Sequence, residues 1–356
     1  MRFPTKLVAL ATAGLFAATA AAQAETALTI VSWGGAYTKS QLEAYHKPFT
    51  KNTGIKINSE DYNGGLAEVK AQVEAGNVTW NAVDVELSDA IRACDEGLAE
   101  VIDPSILPPA PDGTPAMDDF IENTVTECAV GTIVWSTVYA YDDSKYSGDK
   151  PKTMADFFDV KKFPGKRGMR KNAKPNLEFA LVADGVPVDK VYETLSTDEG
   201  VARAFKVLDR IKDDVLWWEA GAQPPQMLAD GEVSMTTAYN GRLFNAIAVE
   251  KKPFVIVWDG QIWDLDLWIV PKGAPNMKET LEFIKFSTDT QRLADQAKWI
   301  SYGPVRKSSF PMITDEMKPH MPTSPDNFKN SLQNDFEWWA DHQDEMNEKF
   351  NAWLAK

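Results

Sequence analysis

The feature that most constrains this 356-residue chain is the alternation of strand and helix signals that begins at Leu28. Leu28-Thr-Ile-Val-Ser-Trp33 is a β-branched and aromatic run stopped by Gly34-Gly35, and a helical stretch follows from about Tyr37 to Asn52. A second strand is expected at Ile55 to Asp61, then a helix at Gly65 to Glu74 and a short strand near Val83 to Leu87. That β-α-β-α-β order requires crossover helices, so it dictates a parallel sheet with helices on its faces.

The pattern restarts after Pro151. Pro164-Gly165 precedes a short strand at Gly168 to Arg170, a helix spans Leu177 to Ala183, and Thr197 or Asp198 caps a helix with Val201, Phe205, Leu208 and Ile211 on one face. Further strands are read at Ser234 to Tyr239, Phe254 to Trp258 and Trp263 to Val270. The region from about Asn330 is helical, with Trp338, Trp339, Phe350 and Trp353 expected to pack. Between the two α/β patterns, Thr132 to Tyr141 is a long β-prone run without a turn signal, suited to a strand that crosses between lobes. The length exceeds the roughly 250 to 300 residues at which one core stops growing, so two lobes are expected.

Arg2 and Lys6 precede an apolar run, Leu7 to Ala20, followed by Ala22-Gln23-Ala24, which is the pattern of a signal peptide over residues 1–24. The expectation is export and cleavage, with a soluble, monomeric protein in the periplasm. The 37 Lys and Arg against 52 Asp and Glu give a formal charge of −15, which argues against a nucleic-acid partner. Cys94 and Cys128 would either pair in an oxidising compartment or stay as buried thiols; neither reading makes them catalytic.

Signatures of catalysis are missing. The three histidines, His46, His320 and His342, form no zinc motif, and no Walker loop, dinucleotide fingerprint or Gly-x-Ser-x-Gly is present. No cofactor or metal is expected, an enzyme has no positive sign, and ligand binding in a cleft between two lobes is the natural reading.

At this point a resemblance becomes specific. Leu28 to Tyr37, Phe49-Thr-Lys-Asn-Thr-Gly-Ile-Lys56, Leu228-Ala-Asp-Gly-Glu-Val233, Ala238-Tyr-Asn-Gly241, Ile262 to Pro271 and Ile300-Ser-Tyr-Gly-Pro304 resemble the bacterial periplasmic spermidine/putrescine-binding proteins, in order along the chain. The resemblance implies the type II periplasmic-binding fold, an α/β fold of two lobes. Residues 25–135 and 266–310 would form lobe 1, and 136–265 and 311–356 lobe 2. It also implies a polyamine ligand delivered to the inner-membrane permease of an ABC importer, this chain being the receptor and not the ATPase.

Carried over by position, the resemblance assigns ligand contacts to Trp33, Glu86, Tyr239, Asp266 and Tyr302, with Asp264 replacing an expected aromatic. Aromatic faces and carboxylates are what an ammonium group needs. Side chains two apart on a strand share a face, which puts Asp264 and Asp266 together. One departure bears on specificity. Where polyamine binders carry acids, this chain reads Met169-Arg-Lys-Asn-Ala-Lys174. Arg170, Lys171 and Lys174 would either form a solvated loop or hold a carboxylate, the latter making the ligand a zwitterion such as 4-aminobutyrate. Gln223, Gln226 and Arg242 are further polar candidates.

Overall fold

Residues 26–356 are described in a computed structural model of the chain; the signal-peptide expectation falls outside them. Strand β1 (Ala27–Ser32) pairs in parallel with β2 (Lys56–Asp61) on one side and β3 (Ala82–Glu86) on the other. The crossovers are helices, α1 (Gly35–Gln41) and α2 (Lys47–Thr53) joined by a π-turn, then α3 (Ala67–Glu74). Helix α4 (Leu87–Asp95) leaves β3 directly.

Two long strands carry the chain from one lobe to the other. β4 (Ala129–Asp142) is buried along its whole length and pairs antiparallel with β8 (Phe254–Ile269). Strands β5 (Arg167–Arg170), β6 (Val215–Trp218) and β7 (Met235–Tyr239) complete the second lobe, β5 lying parallel to both neighbours. β9 (Gly303–Pro304) joins β4, and β10 (Leu332–Gln333) joins β8. The resulting order is β2-β1-β3-β8-β4-β7-β5-β6, a continuous sheet whose two ends are parallel and whose middle is antiparallel.

The structure differs from the sequence expectation at several elements. The strands read separately at Phe254 to Trp258 and Trp263 to Val270 are one strand, because a register jump against β4 (Thr137 with Ile262, then Tyr139 with Val257) and Gly260 at φ 69° absorb the intervening residues. The C-terminal helix starts at Phe336, not near Asn330, since Leu332–Gln333 is drawn into the sheet and Asp335 caps the helix through the Trp338 N–H. β6, the run Val-Leu-Trp-Trp, lies outside the strands expected from sequence.

Each lobe has its own core. Leu28, Ile30, Val83, Val85, Trp268 and Phe283 pack in the first. Tyr139, Met169, Phe179 and Leu208 pack in the second with Trp338, Trp339, Phe350 and Trp353 of the C-terminal helix. That helix also reaches α4, where Asp344 meets Arg92 at 2.9 Å and Gln343 donates to Asp89 at 3.0 Å.

Cys94, at the end of α4, is bonded to Cys128, just ahead of β4, across 34 residues of chain. Closing a loop of that length stabilises by about 3 to 4 kcal/mol in the chain-entropy treatment. Replacing both cysteines by serine is therefore expected to lower the urea midpoint by that equivalent, and an unchanged midpoint would show that the reference chain is already constrained.

Candidate functional site

The site forms where the strand ends of both lobes meet β4 and β8. Gly34 and Gly35, at φ 73° and 59°, turn the chain out of β1 in a conformation that side chains resist, so α1 starts at once and sends Tyr37 back toward the sheet. Trp33, at the strand end, rests on Tyr62 with ring centroids 5.1 Å apart. Glu86 closes β3 directly opposite Asp266 of β8, and Asp264 stands opposite Trp135 of β4. Tyr239 ends β7 and Tyr302 precedes β9.

Trp33, Tyr37, Trp135, Tyr239 and Tyr302 together with Ile133 wall a cavity that carries the carboxyls of Glu86 and Asp266. Edge-to-face contacts fix the rings: Trp135 on Tyr239 at 5.1 Å and Tyr37 on Tyr302 at 5.3 Å.

The charges divide into two groups. Asp266 accepts a hydrogen bond from Trp135 Nε1 at 2.6 Å and has no ion-pair partner among the described residues. Burial, then the neighbouring Asp84, Glu86 and Asp264, drive its carboxyl well above the ordinary range. Burial similarly pushes Asp84 to about 7 and Asp264 to about 8. Glu86 behaves oppositely. Burial would raise it, but the Lys174 ammonium and the Arg170 guanidinium, 3.3 Å away, outweigh that and hold it down.

Arg170 and Lys174 are both buried in the cleft, and the Arg170 guanidinium lies between the rings of Trp33 and Tyr239, 6.0 and 5.9 Å from their centroids. Lys171 instead points outward to Glu219 at 3.1 Å. Two cations thus converge on Glu86, with Asp264 and Asp89 also acting on Lys174. Arg242, also buried, donates to the Gly34 and Trp33 carbonyls at 2.9 Å, tying the lobes together, while its Nε has no partner. The arrangement can hold an ammonium at Asp266, against aromatic faces, and a carboxylate near guanidinium groups.

Among the residues singled out from sequence, Trp33, Glu86, Tyr239, Asp266 and Tyr302 line the cavity and Arg170 borders it. Asp264 is buried beside them but does not line it; its Oδ1 accepts from the Leu265 N–H at 2.7 Å. Gln223 is a correction. Its side chain is exposed and folds back to accept from the Glu219 and Ala220 N–H groups, both at 2.8 Å, so local backbone takes the polar atom expected to meet ligand. Gln226 is likewise spent on Asp230. Sequence reasoning missed Tyr37, Trp135 and Asp84. Asp84 carried a signal, an acid inside an otherwise apolar strand, Ala82-Val-Asp-Val.

A sequence profile of bacterial extracellular solute-binding proteins matches residues 44–323. The chain belongs to that family. This solute-binding protein is 45% identical over 341 residues to the gamma-aminobutyric acid-binding protein of Pseudomonas aeruginosa, covering 96% of this chain and 94% of that one. Among solved structures it superposes on the binding protein MotA of A. tumefaciens B6 in complex with glucopine, with a TM-score of 0.86 at 31% identity, covering 92% of this chain and 100% of that one. It also superposes on a GABA receptor, with a TM-score of 0.80 at 35% identity, covering 93% and 98%. The fold is the two-lobed type II arrangement of these neighbours. Of these relatives, two are named for gamma-aminobutyric acid or GABA and one is in complex with glucopine. Among the described residues no helix is long and apolar enough to cross a membrane, and no cluster of metal ligands occurs.

Proposed function

We propose that this solute-binding protein is the periplasmic receptor of an ABC importer and that its ligand is a small zwitterion with one ammonium and one carboxylate, of the 4-aminobutyrate class. One observation carries the reading. A cavity among aromatic faces holds a buried carboxylate, Asp266, with no ion-pair partner among the described residues, and at its border the Arg170 guanidinium and the Lys174 ammonium, both buried, share the one acid Glu86. A diamine would satisfy Asp266 and then bring its second ammonium against Arg170 and Lys174. A zwitterion presents the opposite charge there. The 45% identical relative named for gamma-aminobutyric acid supports the same choice. Residues 25–135 with 266–310 and 136–265 with 311–356 are the two lobes that close on the ligand, and the closed pair presents it to the permease.

Calorimetry of refolded, ligand-free protein tests this. 4-Aminobutyrate is expected to bind at least about tenfold, or 1.4 kcal/mol, more tightly than putrescine. Tighter binding of putrescine or spermidine would overturn the zwitterion reading and restore the polyamine one.

A further inference from the structure

The cleft buries more acid than it neutralises. Asp84, Glu86, Asp89, Asp264 and Asp266 are all buried, yet Arg170 and Lys174 both make their ion pairs with Glu86. The densest point is Asp84 with Asp266. Asp84 Oδ2 accepts from Tyr37 Oη at 2.8 Å and from Gln41 Nε2 at 2.5 Å, while its Oδ1 is buried with no hydrogen-bond partner. Asp84 and Asp266 are diagonal neighbours on one face of the β3–β8 pair, Asp84 standing opposite Trp268 and Asp266 opposite Glu86, and both are buried.

Two facing carboxylates in a dry site repel strongly if both are ionised. One proton between them removes the repulsion and completes the bonding of the orphaned oxygen. No described group supplies a competing positive charge. Tyr37 from α1, Tyr62 after β2 and Tyr302 before β9 are neutral, held so by burial that drives their hydroxyls upward. Glu86 on β3 is anionic, held so by Lys174 and Arg170, and Asp264 on β8 is a further acid whose own carboxyl burial pushes up to about 8. Arg170 is engaged with Glu86, and Arg242 with the Trp33 and Gly34 carbonyls.

We propose that Asp84 and Asp266 share one proton in the empty cleft and that the ligand's ammonium takes its place, so that each amine bound releases one proton. The exchange balances: a carboxylic acid, a carboxylate and an alkylammonium become two carboxylates, the same alkylammonium and a proton passed to solvent. Asp84, which does not line the cavity, is then a positioning residue that sets the charge the site accepts at one. The upward displacement of both carboxyls by burial agrees with this.

The inference rests on the ammonium reading of the site, and its test separates the two. 4-Aminobutyrate is titrated calorimetrically at about pH 7 in phosphate and in Tris, whose ionisation enthalpies differ, the slope of heat against buffer enthalpy giving the protons exchanged. Release of about one proton is expected, with affinity rising as pH is raised, by up to about tenfold per unit, because the free protein binds the extra proton. Asp84→Asn, verified as folded by its melting curve, is expected to lose both the proton release and the pH dependence, which a purely structural role would not remove. A zero slope for bound 4-aminobutyrate overturns the proposal, as does an unchanged slope in Asp84→Asn. Should that variant not fold, the wild-type slope decides. If putrescine binds and 4-aminobutyrate does not, the zwitterion reading fails and the same two-buffer titration with putrescine still decides the exchange. Binding of neither overturns the ammonium reading and the exchange with it.

Discussion

Asp266→Asn is expected to weaken 4-aminobutyrate binding by about 1.5 to 3 kcal/mol, from tenfold to more than a hundredfold, the range for a hydrogen bond to a charged group. The substitution is nearly isosteric and keeps an oxygen for the Trp135 indole N–H, so the sheet register between β4 and β8 has no reason to change. What is lost is the negative charge that the ammonium meets in a site where aromatic walls exclude water. Without ligand the variant removes one of several buried acids, so its melting temperature is expected to hold or rise. Equal affinity of variant and wild type, with the fold intact, would place the ammonium elsewhere in the cleft. A loss of affinity accompanied by a collapse in melting temperature would assign Asp266 to the architecture.

Why Asp266 could be reached from sequence while its surroundings could not is a matter of where the information resides. Period-two alternation puts Asp264 and Asp266 on one face of β8, and the Gly34-Gly35 stop locates Trp33 at the strand end; both are local facts. Local facts likewise gave the order β1-α1-β2-α3-β3 and the crossing character of β4. Trp135 sits in the middle of that crossing strand among apolar neighbours, and nothing in the run Ile-Val-Trp-Ser distinguishes a ring that walls a cavity from one that fills a core. Tyr37 has the same difficulty on α1. Only the register of β4 against β8, set by residues more than a hundred positions away, turns Trp135 toward the cavity, and Tyr37 is held there by Asp84, forty-seven positions on.

The basic segment after Met169 shows the same limit in electrostatic form. As sequence, Arg170, Lys171 and Lys174 are three cations whose environment is open. In the fold, Arg170 and Lys174 are buried because Glu86, eighty-four positions from Arg170, lies opposite them, whereas Lys171 finds Glu219 at the surface. Burying a cation costs several kcal/mol unless it is paired, so the decision belongs to the partner and not to the segment. Gln223 illustrates the converse. Its amide oxygen accepts from two backbone N–H groups three and four residues away, a local competition that takes it from the site.

Arg170→Met separates the carboxylate end of the ligand from the ammonium end. Methionine keeps an unbranched apolar stem between the Trp33 and Tyr239 rings, and Lys174 still pairs with Glu86, so that acid is not left unpaired. The guanidinium and its bond to Glu86 disappear. For 4-aminobutyrate the expected loss is about 2 to 4 kcal/mol, as for truncating one member of a buried, hydrogen-bonded charge pair. Putrescine should behave oppositely, because the variant removes a positive charge that its second ammonium must approach; its affinity is expected to hold or rise, narrowing or inverting the preference measured on the wild type. Parallel titrations with the two ligands read this directly. An equal fall for both would mean that Arg170 serves lobe closure through Glu86 and contributes nothing to choosing between a carboxylate and an amine, which would leave Arg242, with its unpartnered Nε, as the guanidinium to test next.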